Sequence, residues 1–163
     1  AMADGAIHLA AEDDLKATLV HELLHHVLNG LGVASPMWLH EGLAMMAARE
    51  QWWRSRALGL QEWLRRDHLP FDSLTTAFPH TADELFAGAV YFQSYAMVLF
   101  VSEQTTARQL EASRSEAAPL AELVLKLANG AFPPEEAFSA AAALAGADLD
   151  DAFTAFVNRR FTP

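Results

Sequence analysis

Apolar residues recur at the spacing of an α-helix along most of the chain, and this pattern predicts a mainly α fold. A Thr-Ala-Asp-Glu capping-box pattern at 81–84 predicts the start of a long helix there. One extended stretch, 6–10, predicts a single short strand before the first helix. No repeat or linker interrupts the pattern, so residues 1–163 are expected to form one domain. Helices are predicted at 13–28, 36–57, 61–66, 81–104, 119–128, 134–145 and 148–160.

Turn residues separate the first two predicted helices. Asn29, Gly30 and Gly32 are typical of a helix C-terminus followed by a turn. Ser35 is then typical of an N-cap, and Pro36 of a first helical residue. Because this connection is short, we expect the two helices to lie side by side and antiparallel.

Composition narrows the classes of protein to which the chain can belong. With 163 residues and 52% hydrophobic content, it can bury the core of one domain. A formal net charge of −10 argues against nucleic acid or anionic lipid as a partner. No apolar run approaches the roughly 18 residues that span a bilayer, so no membrane span is expected. The absence of cysteine excludes disulfides and thiolate metal ligands. Either side of a bacterial inner membrane fits this composition, and the oligomeric state stays open.

The strongest chemical signal is the pentapeptide His21-Glu22-Leu23-Leu24-His25 in the first predicted helix. Residues four apart lie on one helical face, so both imidazoles can bind one metal ion. Glu22 directly follows the first histidine and can reach a metal-bound water as a general base. Its apolar neighbours predict a helix that is buried on nearly all sides. The motif therefore predicts a zinc site, and the alternative is two histidines packed on a buried helix.

A catalytic zinc site usually has a third protein ligand and leaves a fourth position for water. The metzincin pattern requires a Gly three residues and a His six residues after His25, but those positions hold Leu28 and Leu31. Glu41 is better placed, because it lies early on the second predicted helix and an antiparallel arrangement returns it toward the histidines. The alternative for Glu41 is a structural acid near a helix N-terminus.

The HExxH helix followed by the segment WLHEGLA at 38–44 resembles the gluzincin zinc peptidases, specifically the bacterial peptidase MA-like group. A looser likeness continues through 69–78, 89–94 and 130–161. The resemblance implies that Zn²⁺ is held by His21, His25 and Glu41. It also implies that Glu22 is the general base and that Tyr91 donates a hydrogen bond to the oxyanion. Tyr95, one helical turn further, stays an alternative to Tyr91.

The chain departs from the gluzincin pattern in two ways. Met45 stands where members of the group often carry an acid, which in the thermolysin branch orients a zinc-bound histidine. Only about twenty residues precede His21, whereas gluzincins build a β-sheet there that holds the substrate. The expected fold is therefore a gluzincin-like helical catalytic core with at most a minimal N-terminal β segment. Residues 1–163 then form either the C-terminal part of a larger catalytic unit or a version with very little sheet.

Two further groups of residues have competing interpretations. His26 and His40 adjoin the motif residues, but they point about 100° away from them, which predicts second-shell or packing roles. Arginines and tryptophans between 49 and 66 form either a partner-binding face or, as favoured here, a solvated helix flank whose tryptophans pack inward.

The sequence thus predicts a zinc-dependent peptidase that hydrolyses a peptide or protein substrate through metal-activated water. The first alternative is a zinc-binding but catalytically inactive peptidase-like scaffold or interaction domain. The second is a helical interaction module in which the motif is a coincidence.

Overall fold

The structure is a computed structural model that describes residues 15–32, 36–50, 54, 56–70, 73–74, 83–111 and 148–161. In the range 83–111, side chains are described only as far as residue 103. Within these ranges the chain forms five helices and no strand, which confirms the mainly α prediction. The predicted strand at 6–10 and the predicted helices at 119–128 and 134–145 lie outside the described residues. The helices are α1 (Leu15–Gly30), α2 (Met37–Ala48), α3 (Ala57–Arg66), α4 (Glu84–Glu111) and α5 (Asp148–Arg160).

The helix α1 ends where the glycines predicted that it would. The Leu31 N–H donates to the Val27 carbonyl at 3.0 Å, and Gly32 has a φ of +67°. That left-handed conformation is one that glycine adopts without steric cost. The next helix begins one residue later than predicted, because Pro36 occupies the N-cap position with extended backbone angles. The helices α1 and α2 pack against each other, so the turn brings together the two helices that carry the motifs.

The helix α2 is nine residues shorter than the predicted 36–57 at its C-terminal end. Arg49 adopts the left-handed conformation (φ 53°, ψ 40°), and its N–H donates to the Met46 carbonyl at 3.2 Å. The Glu50 N–H donates to the Met45 carbonyl at 3.1 Å. These two bonds form a Schellman motif, a helix end that usually has glycine at the left-handed position. Because arginine stands there instead, the sequence lacks the usual signal for this helix end.

The helix α4 is the centre of the core, and α2, α3 and α5 all pack against it. Asp83 caps its N-terminus, since the Oδ1 atom accepts hydrogen bonds from the N–H groups of Leu85 and Phe86. The capping-box prediction therefore placed the helix start correctly within three residues but assigned the cap to the wrong side chain. Among the described residues, the five largest fully buried side chains come from α2, α4 and α5: Trp38, Phe92, Phe100, Phe153 and Phe156.

A glycine allows α2 to approach α4 closely. A Cβ atom added to Gly42 would lie 2.3 Å from the Ser94 carbonyl oxygen and 2.6 Å from the Val98 Cγ2 atom. Both distances are far below van der Waals contact, so only glycine fits at this crossing. The crossing fixes the depth at which the neighbouring residue, Glu41, sits in the fold.

The segment Glu84–Glu103 is long and apolar enough to cross a membrane, by length and composition alone. In this fold it is the central core helix, and 56% of its most apolar window is buried. A buried core helix satisfies the same criteria as a membrane span, so this segment is a weak candidate. No membrane span was expected from the sequence, and this helix is only weak evidence for one.

The helix α1 is much less buried than predicted. Its buried side chains are Ala17 and Leu28. Five large apolar residues, each four positions from the next, are 43–53% exposed: Leu15, Leu19, Leu23, Val27 and Leu31. The all-round apolar pattern predicted burial on every side, but the described helices cover only one side of α1.

Candidate metal centre

Three donor atoms from α1 and α2 converge at the interface between these helices. The Nε2 atoms of His21 and His25 lie 3.0 Å apart. The Glu41 Oε2 atom lies 3.2 Å from the first and 3.5 Å from the second. The structure therefore brings the three predicted ligand residues together, and they form a group that could hold a metal ion.

The size of this triangle is right for zinc. Zinc binds imidazole nitrogen and carboxylate oxygen at about 2.0–2.2 Å, usually in tetrahedral geometry. Two ligand atoms of a regular tetrahedron with such bonds lie about 3.3–3.6 Å apart. Of the three observed separations, 3.5 Å lies within that range and 3.0 and 3.2 Å lie slightly below it, so an ion could fit after small side-chain shifts.

Glu41 is a buried carboxylate, with 6% of its surface exposed. Its Oε2 atom has no hydrogen-bond partner of good geometry among the described residues, although both imidazoles are near. A buried oxygen in that condition is costly unless a cation satisfies it. Burial alone raises the pKa of Glu41, but the two histidines outweigh it and lower that pKa to about 2. The oxygen is therefore ionised and directed at the point where a metal would bind.

A fourth residue completes the site from the far side of His21. The Nδ1 atom of His21 donates to the Glu50 Oε1 atom at 2.5 Å, and both side chains are largely buried. This bond leaves Nε2, the other ring nitrogen, facing His25 and Glu41. A carboxylate on the second nitrogen commonly fixes the tautomer and orientation of a metal-binding histidine. Glu50 therefore makes the contact to the second ring nitrogen of His21 that Met45 cannot make.

Sequence reasoning missed Glu50 because it predicted a helix that continues to residue 57. In such a helix, the nine residues from Glu41 to Glu50 correspond to a rotation of about 900°, which places the Glu50 side chain on the side opposite Glu41. The Schellman motif at Arg49 turns the chain instead, and Glu50 reaches α1. Met45 is a core residue with 1% exposure.

Burial alone lowers the pKa of His21, but the carboxylates of Glu41 and Glu50 outweigh this and raise it to about 9. Without a metal, His21 is therefore a cation between two anions at neutral pH. A bound metal would replace that proton as the positive charge in the cluster.

The candidate base Glu22 is half-buried beside His21, and no hydrogen bond or ion pair joins it to another described residue. The prediction of a helix buried on nearly all sides is therefore wrong at Glu22. Its negative charge nevertheless contributes to the raised pKa of Tyr91, the tyrosine on α4 that the resemblance indicated.

Tyr91 and Tyr95 are in different environments. Burial raises the pKa of Tyr91 to about 12, and the negative charges of Glu41, Glu22 and Glu50 add to this shift. Its hydroxyl therefore stays protonated and lies in the field of the three site carboxylates. Tyr95 packs against the core, with its ring 6.5 Å from that of Phe92. The carboxylates of the candidate site thus affect Tyr91, and its role stays a prediction.

The other histidines play supporting roles or none. His40 is buried and stacks on His25, with ring centroids 6.0 Å apart and planes 11° apart, in agreement with a packing role. His26 is exposed, which contradicts the prediction of a second-shell or packing role. The His68 Nδ1 atom donates to the Leu64 carbonyl. His8 and His80 lie outside the described residues.

The arginine-rich segment divides into two parts. Arg65 and Arg66 form ion pairs with Glu62 on α3, and Trp63 packs against the core, as the helix-flank interpretation predicted. Arg54 and Arg56 line a cavity between α3 and the beginning of α4. Trp52 and Trp53 lie outside the described residues.

No family model, curated protein or solved structure matches this chain. What the site can do therefore follows from its chemistry. Two imidazoles and a carboxylate at this spacing could hold a divalent metal ion, which in such sites usually has a fourth coordination position for water.

Proposed function

We propose that the protein is a zinc-dependent peptidase of the gluzincin type, in which His21, His25 and Glu41 hold Zn²⁺. The observation that carries the proposal is the convergence of these three donors with the acid Glu22 next to the first of them. The HExxH and WLxEG patterns to which these residues belong resemble those of gluzincins.

The bound ion supplies a Lewis acid that lowers the pKa of water toward about 7 and polarises a carbonyl group. The residues of the chain do the rest. Glu22 accepts the proton of the attacking water and returns it to the nitrogen of the leaving amine. Glu50 holds His21 in the tautomer whose Nε2 atom faces the ion.

Tyr91 fits the role of a hydrogen-bond donor to the oxyanion. Its hydroxyl is protonated at neutral pH, because burial raises its pKa to about 12. A donor that is already in place when negative charge develops lowers the barrier. Tyr91→Phe is expected to lower kcat about 100-fold while zinc binding is retained.

A second candidate is a peptidase-like domain that binds zinc without turnover. The observation in its favour is that the described residues include no strand on which an extended peptide could be held. Gluzincins hold their substrates in that way, through backbone hydrogen bonds to a sheet edge.

One set of measurements separates these candidates. Metal analysis after dialysis is expected to give about one zinc per chain. Mass spectrometry of a peptide library incubated with the protein is expected to show cleaved peptides. Glu22→Gln removes cleavage but keeps zinc, and exposed Glu84→Gln on α4 changes neither. Zinc without cleavage in the wild type selects the inactive scaffold. Loss of all metal on dialysis, with no stabilisation on adding zinc, overturns both.

A further inference from the structure

A cavity of about 640 Å³ lies between α3 and the beginning of α4, away from the metal ligands. Its lining is mostly apolar, and it is formed by Leu58, Leu60, Trp63, Leu85 and Phe86 among others. This volume lies in the range of cavities that bind small molecules or a few amino-acid side chains.

Two residues of the cavity are unusually exposed for their type. Leu58 is 76% exposed and Leu85 is 71% exposed, the highest values among the large apolar residues that the structure describes. A large apolar side chain that stays in contact with water forgoes the stabilisation that burial would give. An apolar occupant of the cavity would cover both.

The polar component of the cavity is positive. Arg54 and Arg56 line it, and neither forms an ion pair with a described residue. By contrast, the arginines of α3 and α5 pair with Glu62 and Glu103. In a chain of net charge −10, two cations that have no ion-pair partner among the described residues lie beside an apolar cavity and complement an anionic group on the occupant.

Along α4 the cavity lies near Tyr91 rather than at the metal ligands. Gly88 lines the cavity and precedes Tyr91 by three residues, or about one helical turn. A peptide that fills the cavity would therefore lie about one helical turn from Tyr91.

We infer that the cavity binds an apolar peptide segment that ends in a carboxylate, with the side chains between α3 and α4 and the carboxylate on Arg54 and Arg56. This inference names a substrate class and so rests on the proposed peptidase function. Binding itself needs neither the metal nor Glu22, so it can be tested separately.

The test measures fluorescence anisotropy of a fluorescein-labelled peptide of sequence Ala-Leu-Phe-Leu, in EDTA, with a free C-terminal carboxylate or with a C-terminal amide. The carboxylate peptide is expected to bind about fivefold to tenfold more tightly, because exposed charge pairs contribute modestly. The double variant Arg54→Gln/Arg56→Gln is expected to bind both peptides equally, at the wild-type affinity for the amide. Arg66→Gln, an exposed arginine paired with Glu62, is the matched control and leaves the preference unchanged.

A second variant tests the apolar part of the cavity. Gly59 lines the cavity, and a Cβ atom placed on it meets no atom within 4 Å. Gly59→Trp is therefore expected to fold and to weaken binding of both peptides at least tenfold.

Equal binding of the two peptides by the wild type, or an unchanged preference in the double variant, overturns the inference. Tighter binding of dodecanoate than of the carboxylate peptide also overturns it, in favour of a fatty-acid site. Specific binding in EDTA together with absent peptide cleavage under zinc would reject the peptidase function while preserving the cavity as a binding site.

Discussion

The two helices that carry the candidate ligands are held in the fold in opposite ways. Every side chain from Trp38 to Met45 of α2 is buried, so Glu41 is fixed by close packing against α4. The helix α1 buries only Ala17 and Leu28, and its outer apolar residues contact water. Its histidines are held by carboxylates of the α2 segment. One half of the site is therefore positioned by the core and the other half by polar contacts.

This difference predicts how the site responds to change. Disturbing the packing of α2 against α4 should reduce the stability of the whole domain. Disturbing the carboxylates of Glu41 and Glu50, or removing a bound metal, should mainly reduce the local stability of α1.

The largest effect is expected from Gly42→Ala. The added methyl group would lie 2.3 Å from the Ser94 carbonyl oxygen, and backbone atoms cannot move away easily. We expect a loss of about 3 kcal/mol in the free energy of unfolding, measured by urea denaturation. Gly59→Ala is the matched control, since that Cβ position is empty, and should gain about 1 kcal/mol from helix propensity. Equal effects at both positions would contradict the close α2–α4 crossing.

Zinc is expected to stabilise the domain, and α1 above all. At a free zinc concentration of 100 times Kd, binding should add about 2.7 kcal/mol to the free energy of unfolding. Hydrogen exchange should slow more in α1 than in α2, because α2 is already fixed by the core. Equal protection of both helices would show that the core holds α1 as firmly as α2.

Glu50→Gln is expected to weaken zinc binding by about 10- to 100-fold, which is the usual effect of losing such a carboxylate. The glutamine amide can still hydrogen-bond to Nδ1 of His21, but it carries no negative charge. Because an amide can both donate and accept, it no longer selects a single tautomer of the imidazole. Competition with a chromogenic chelator measures the affinity. Exposed Glu103→Gln is the control, and an unchanged affinity in Glu50→Gln would remove Glu50 from the site.

The stability of the metal-free protein is expected to fall as the pH rises from about 6.5 to about 9. The pKa of His21 is about 9 in the folded protein against 6.5 in a free histidine, so protonation favours the folded state. This contribution is complete below pH 6.5 and is lost as the pH passes 9. We expect an effect on the order of 1 kcal/mol for this partly solvated group, measured by urea denaturation in EDTA. His21→Gln should remove this pH dependence.

The smallest effect is expected from Arg49→Gly. A left-handed conformation costs about 1 kcal/mol for arginine and little for glycine. The variant should therefore be more stable by up to about 1 kcal/mol, with zinc affinity unchanged because Glu50 keeps its place. A loss of stability would mean that the Arg49 side chain contributes more than its backbone costs.

The sequence predicted those parts of the fold that have local signals. The last helix was predicted at 148–160 and is observed there, and the turn at Gly30 and Gly32 follows from glycine chemistry. The three ligand candidates were also predicted, because the spacing of His21 and His25 is local and the α1–α2 turn returns Glu41.

The parts that could not be predicted depend on tertiary contacts. The end of α2 at Arg49 has no glycine to indicate it, so the position of Glu50 was hidden. The exposure of α1 was also missed, because an apolar pattern shows what a helix can bury but not which neighbours are present. In both cases the local pattern was compatible with two structures, and long-range packing selected one.

The close crossing at Gly42 has a consequence for recognising distant relatives. Any chain that keeps this α2–α4 distance must keep glycine directly after the third ligand candidate, whatever its other residues. The three ligand candidates and this glycine are therefore expected to occur together, with Glu41 and Gly42 sixteen and seventeen positions after His25. Sequences that share the unit but vary on the exposed side of α1 are the expected members of such a family.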